Sequence, residues 1–192
     1  SGAIVTVEVD LSRGLHAFSV VGLPDKAVDE SKDRVSSAIK NSGFKSPKAQ
    51  NQKIIVSLSP ADLKKEGPFF DLSIAIAYML AAGDIKFNAE KKIFLGELGL
   101  DGTLRSIRGA LPLAEEAARR GYQEIFLPKE NAVEAALVDG ETALLIADVD
   151  WDRFAEIVDR VIGLSPAVLN ARLQRASGRV IFDGARIDGL KR

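Results

Sequence analysis

The chain has 192 residues, 46% hydrophobic and 28% charged, which supports one well-buried domain with room for an appendage. Its formal net charge of -1 supplies no global field towards nucleic acid or membrane, so such binding has to come from a local patch. The absence of cysteine excludes disulfides, zinc–thiolate sites, iron–sulfur clusters and cysteine nucleophiles, and fits a reducing cytoplasm.

In chain order, "SG" at residues 1–2 reads as a cloning remnant, and no signal peptide follows it. "AIVTVEVD" alternates β-branched and polar residues, as a strand with one wet face does. "SRG" turns the chain into a second strand, "LHAFSVVGL", and the two are expected to form a hairpin. "PDKAVDESKDRVSSAIKNSG" reads as one helix, with Asp25 as N-cap, Val28, Val35, Ala38 and Ile39 as its apolar stripe, and Gly43 as its stop. "KIIVSLSP" is a strand, and "FDLSIAIAYMLAAG" a largely buried helix ending on glycine. Its apolar run of about 12 residues is well short of the roughly 20 a membrane span requires, and the expected location is the cytoplasm.

"KIFLGELGLDGTLRSI" places two strands around the hairpin dipeptide Asp101-Gly102. Then follow a helix ("LPLAEEAARRG"), a strand ("EIFLP"), a short helix ("NAVEAALV"), a strand ("ALLIAD") and an amphipathic helix ("WDRFAEIVDRVIG"). A hairpin followed by βαβ units implies an α+β, two-layer fold with helices packed on a mixed sheet. The main domain is expected over residues 3–163, with a helix and linker over 164–178. A further strand and turn, "RVIFDGARIDGLKR", fill 179–192.

The residues offer few sites. No Gly-Lys-Ser/Thr P-loop and no GxGxxG after a strand is present, so no nucleotide motif is found. His16 stands alone, without specified triad partners, and reads as a surface or strand histidine. Glu8 and Asp10 share a strand face that reads as solvated rather than as a cation site. "KNSGFKSPKAQNQK" sets Lys40, Lys45, Lys48 and Lys53 around Phe44, a pattern that could neutralise phosphates and stack on a base. "KKEGPFFDLSIAIA" puts a rigid turn at the mouth of a buried helix, whose N-terminal amides favour an oxyanion. Ser57, Ser59, Ser73, Lys64 and Lys65 lie nearby in sequence, leaving a Ser-Lys hydrolase, for example Ser73 with Lys65, as an alternative.

Three segments carry a resemblance: "VTVEVDLSRGLHAFSVVGLPDKAVDESKDRVSSAIKNSGF", "VSLSPADLKKEGPFFDLSIAIAYMLAAG" and "FLGELGLDGTLRSIRGALPLAEEAARRG". Together, over about residues 3–150, they resemble the opening domain of the ComM/YifB family of magnesium-chelatase-like AAA+ proteins. The resemblance implies a Lon-protease-like domain N-terminal to an AAA+ module, in a hexameric DNA branch-migration helicase of natural transformation. The implied partners are that AAA+ module, DNA and further copies of the chain. The domain itself is expected to hold no metal or cofactor. Against the Lon turn, Phe69 takes the place of the nucleophilic serine and Leu111 that of its lysine, which implies a non-catalytic domain. Members of the family also open with a short strand before Val-x-Val-Glu-Val. Joining Arg192 to Ala3 restores that order as "DGLKRAIVTVEVD". The resemblance thus implies a circular permutation, in which the tail pairs antiparallel with residues 3–10 and the termini meet at a hairpin tip.

Overall fold

The computed structural model describes residues 3–135 and the backbone of 143–147. Three strands form the first sheet: β1 (Thr6–Arg13), β2 (Ala17–Val21) and β3 (Gln52–Ser59). Their order is β1-β3-β2, with β1 antiparallel and β2 parallel to β3. The expected β1–β2 hairpin is therefore not formed. β3 carries Ile54, Val56 and Leu58, all fully buried, and the most buried strand of the sheet takes the central position. Gly14 donates its amide to the Asn51 carbonyl, which leads the link across the start of β3. That link crosses two inter-strand spacings, about 10 Å, within the extended reach of three residues.

The expected long helix is divided. Helix α1 (Lys26–Asp29) is capped by Asp25, whose carboxylate accepts from the Val28 amide at 2.7 Å. Glu30 separates it from α2 (Ser31–Asn41). Val28, Val35, Ala38 and Ile39 are all buried, so the apolar stripe survives the break. Helix α3 (Asp71–Ala82) ends on left-handed Gly83 and packs beneath β1 and against α2. Its weak amphipathicity has a simple cause: Leu72, Ile74, Ala75, Ile76, Tyr78 and Met79 are buried all round it.

A second, parallel sheet has the order β4-β7-β8, from β4 (Lys92–Phe94), β7 (Glu124–Pro128) and β8 (Ala143–Ala147). The Asp101-Gly102 turn joins β5 (Glu97–Leu98) to β6 (Leu104–Arg105) as read from sequence. The Asp101 carboxylate accepts from the Thr103 amide and hydroxyl across that turn. The strand expected to precede it is interrupted at Gly96, whose amide donates to the Phe69 carbonyl while its own carbonyl accepts from Leu72. Helix α4 (Ala110–Arg119) contacts the short α5 (Ala132–Ala135). The architecture is the α+β class read from sequence. The closing helix and tail expected after residue 147 lie outside the described residues.

Two hydrophobic clusters result. One unites the first sheet, α2 and α3 with Phe94, Leu98 and Phe126. The other gathers Leu95, Ala110, Ala114, Ala117, Ile125, Leu127 and Ala135 around α4. Phe69 packs against both.

Candidate functional site

The Gly67–Asp71 turn is tied to α1 and α2 by carboxylates. Asp25 accepts from the Val28 amide with one oxygen and from the Gly67 amide with the other, at 3.0 Å. One side chain thus caps a helix and pins the turn. Backbone bonds reinforce the join: Asp25 donates to the Lys65 carbonyl and Lys65 to the Leu23 carbonyl. Asp71, with no exposed side-chain surface, receives the Arg34 Nε at 2.6 Å, the Arg34 Nη2 at 2.9 Å and the Leu98 amide at 3.1 Å. Arg34 also donates to the Ala27 carbonyl, which satisfies an acceptor at the end of α1. Burial pushes the Asp71 carboxyl above the usual aspartate value, against the downward pull of the Arg34 bonds and the Leu98 amide. The same pairing raises Arg34.

Beside the turn lies a cleft of about 490 Å³. Its walls are residues 3–7, Phe69 and Phe70, one face of α3, residues 92–95, and Leu113 and Glu116 of α4. The charged side chains on these walls are already paired. Lys64 meets Glu66 at 2.6 Å, Lys92 meets Glu124 at 2.9 Å, and Glu116 meets Arg119 at 2.6 Å. Hydrogen bonds from Arg119 and then Arg120 hold the Glu116 carboxyl below its ordinary value.

Ser73 and Lys65 both line this cleft. The Ser73 hydroxyl donates to the Phe70 carbonyl at 2.8 Å, and the buried Lys65 ammonium donates to the Pro60 carbonyl. Each is therefore bonded to backbone. Phe69 stands in the cleft wall with its ring 4.4 Å from that of Phe70, which is buried. Leu111 is not on the cleft wall, and its amide donates to the Glu134 carboxylate at 3.1 Å. Of the two slots assigned by resemblance, one lines the cleft and the other does not.

The basic segment is partly tied down. Lys40 lies in the last turn of α2 and Lys45 follows on the loop, both exposed and neither in an ion pair among the described residues. Lys48 pairs with Asp33 at 2.6 Å, and Phe44 packs against the first core. Lys53 lies on the outer face of the first sheet, with its stem against Gly14. Glu8 and Asp10 share that exposed face, and among the described residues no acidic or histidine cluster could hold a metal. His16 is exposed. No helix among the described residues is long and apolar enough to cross a membrane.

Sequence comparison bears directly on this geometry. The family model for subunit ChlI of Mg-chelatase matches residues 7–131, which include Asp25, Arg34, Gly67 and Asp71. The chain belongs to that family. Within it, the chain is 45% identical over 145 residues to the uncharacterized protein YifB of Escherichia coli, covering 75% of this chain and 28% of that protein. It is 45% identical over 139 residues to competence protein ComM of Haemophilus influenzae, covering 72% and 26% respectively. DNA repair protein RadA of Listeria monocytogenes is 35% identical over a shorter stretch of 69 residues, 36% of this chain and 15% of that protein. The chain thus spans about a quarter of the length of the ComM and YifB proteins it matches.

The stretch most specific to the resemblance, "VGLPDKAVDESKDRV", supplies Gly22, Asp25 and Arg34. Asp25 and Arg34 are the two side chains that hold the Gly-Pro turn. Gly22 lies so close to β3 that a Cβ there would stand 2.1 Å from the Leu58 carbonyl oxygen. Sequence reasoning missed the Asp25–Gly67 and Arg34–Asp71 links. One signal was present: a lone acid heading an otherwise apolar helix needs a buried partner.

Proposed function

We propose that this chain is a non-catalytic, Lon-protease-like domain of a larger ComM/YifB-type AAA+ ATPase, serving assembly or DNA engagement in a branch-migration helicase. The observation that carries this reading is the state of the Gly-Pro turn. Phe69 takes the place that the resemblance gives to a nucleophile, and the neighbouring Asp25, Asp71, Lys65 and Ser73 are bonded to structural partners. Neither phenylalanine nor leucine can attack a carbonyl or move a proton, so Phe69 and Leu111 supply no dyad. The names of the relatives, a competence protein and a DNA repair protein, support a DNA-linked role for the parent. On this reading the partners are the AAA+ module, further copies in a hexamer, and DNA. The domain needs no metal or cofactor of its own, and its location is the cytoplasm.

Two assays test it. A peptidase assay is expected to show no turnover; turnover abolished by Ser73→Ala would establish the Ser-Lys hydrolase instead. Fluorescence anisotropy with single-stranded and branched DNA separates the two non-catalytic roles. Salt-sensitive binding, weakened by Lys45→Ala with Lys48→Ala, assigns the basic segment to DNA. No binding even at low salt leaves assembly as the role.

The exposed Lys40 and Lys45 also favour a second reading, a stand-alone nucleic-acid-binding module. It differs in requiring the isolated chain to bind single strands without its AAA+ partner.

A further inference from the structure

The hairpin of β5 and β6 is held more firmly than such short strands would manage alone. Its base is set in the first core by Leu98, fully buried, and by Leu104. Across the tip, the Gly99 amide donates to the Thr103 carbonyl at 2.8 Å and the Gly102 amide to the Gly99 carbonyl at 3.0 Å. A Cβ at Gly99 would stand 2.5 Å from the Asp101 carboxylate, so the turn is closed tightly there. Helix α2 runs alongside and ties the hairpin twice. Arg34 and the Leu98 amide meet on the Asp71 carboxylate, and the Asn41 side chain donates to the Leu100 carbonyl at 2.6 Å.

What this rigid tip holds out is apolar: Leu100 is 58% exposed. A single exposed leucine is ordinary on a protein surface. This one differs in its fixed backbone and in its neighbours. Asn41 brings it to the C-terminal end of α2, where Lys40 and, on the loop that follows, Lys45 are both exposed. The acids of the hairpin are already engaged, Glu97 by Arg105 at 3.4 Å and Asp101 by the Thr103 amide and hydroxyl. The result is an apolar point flanked by cations.

We infer, resting on the DNA-engagement reading, that Leu100 is a wedge for branched DNA, inserted at an opened base step while Lys40 and Lys45 hold the flanking phosphates. Lysines alone bind any strand through its phosphates, whatever its structure. An apolar side chain pushed between bases has to unstack them. That cost is least where the stack is already interrupted, as at a fork or a four-way branch, so a leucine tip selects branched over linear DNA. Leucine has no ring to stack on a base, which sets this contact apart from a single-strand platform. Rigidity serves the same end, because a preorganised tip loses little freedom on insertion.

Binding of the intact chain to a four-way junction and to a linear duplex of the same length tests it, with a fluorescent adenine analogue at the branch. The chain is expected to bind the junction roughly tenfold more tightly than the duplex and to brighten the branch base as it unstacks. Leu100→Ala should lower junction affinity to within about twofold of the duplex and abolish the brightening. Asn41→Ala, which releases the tip and leaves Leu100 in place, should reduce the brightening as well. Equal, salt-sensitive binding of junction and duplex by the natural chain overturns the wedge and leaves the DNA reading standing. Brightening that survives Leu100→Ala also overturns it, and no binding of either DNA at low salt overturns both. Should the alanine variant fail to fold, a benzophenone photo-crosslinker at position 100 decides instead. Crosslinks confined to branch nucleotides support the wedge; crosslinks spread along the arms, or none, overturn it.

Discussion

Asp25 does two jobs with one carboxylate, and the two can be separated by substitution. Asp25→Ala removes both the α1 cap and the Gly67 acceptor. Loss of a cap alone typically costs about 1 kcal/mol; with the second acceptor gone, ~2 kcal/mol is expected. Asp25→Asn keeps one oxygen for Val28 and turns an amide nitrogen towards Gly67, so about half the loss should remain. Urea unfolding midpoints of the two variants measure this. The Arg34–Asp71 pair is more consequential because Asp71 has no access to water. Arg34→Ala strands a buried carboxyl and is expected to cost ~3–5 kcal/mol. Asp71→Ala made on top of Arg34→Ala should add little, because the two form one network. Fully additive losses in the double-mutant cycle would show that the two side chains act separately.

At the scale of elements, the glycine of "VVGLPD" is a constraint between strands. Gly22 has φ +102° and sits against the Leu58 carbonyl at the buried end of β3. Gly22→Ala forces either the backbone or β3 to move, and strain of this kind is worth about 1–3 kcal/mol. The expected result is a lower melting temperature with loss of amide protection concentrated in β2 and β3. An unchanged melting temperature would show that the link into α1 relaxes freely. The divided helix 26–41 follows from the same neighbourhood. α1 is positioned by Asp25 and by the Arg34 bond to Ala27, whereas α2 is positioned by Val35, Ala38 and Ile39 in the core. Two anchoring systems set two helical segments.

At the scale of the molecule, Phe69 is the residue shared by both hydrophobic clusters. The position that the Lon resemblance equates with a nucleophile is used here for packing. Phe69→Ala is expected to destabilise by ~2–4 kcal/mol, somewhat under the value for a fully buried phenylalanine because the ring is only partly buried. Because the ring bridges the two clusters, exchange should rise in β4 and α4 as well as in α3. Loosening confined to α3 would show that the bridge carries no coupling.

Local pattern was enough for much of this protein. Alternation marked β1, the glycine stop and apolar run marked α3, and Asp101-Gly102 marked its hairpin, because each depends on neighbours within a few residues. The α+β class followed from their order. The cap at Asp25 was legible too, since its partner lies three residues away. Its second partner, Gly67, was not, nor was the Asp71 partner of Arg34, which lies 37 residues along the chain. Strand order was equally hidden: adjacency in sequence suggested β1 beside β2, while burial of Ile54, Val56 and Leu58 put β3 between them. Among the described residues, sequence alone determined which segments become helices and strands, because that choice is settled by side-chain period and turn chemistry, but not the breaks at Glu30 and Gly96, which tertiary bonds set. Tertiary structure decided which of them meet, because a buried carboxylate or an apolar strand takes the partner that best removes it from water, however distant in the chain.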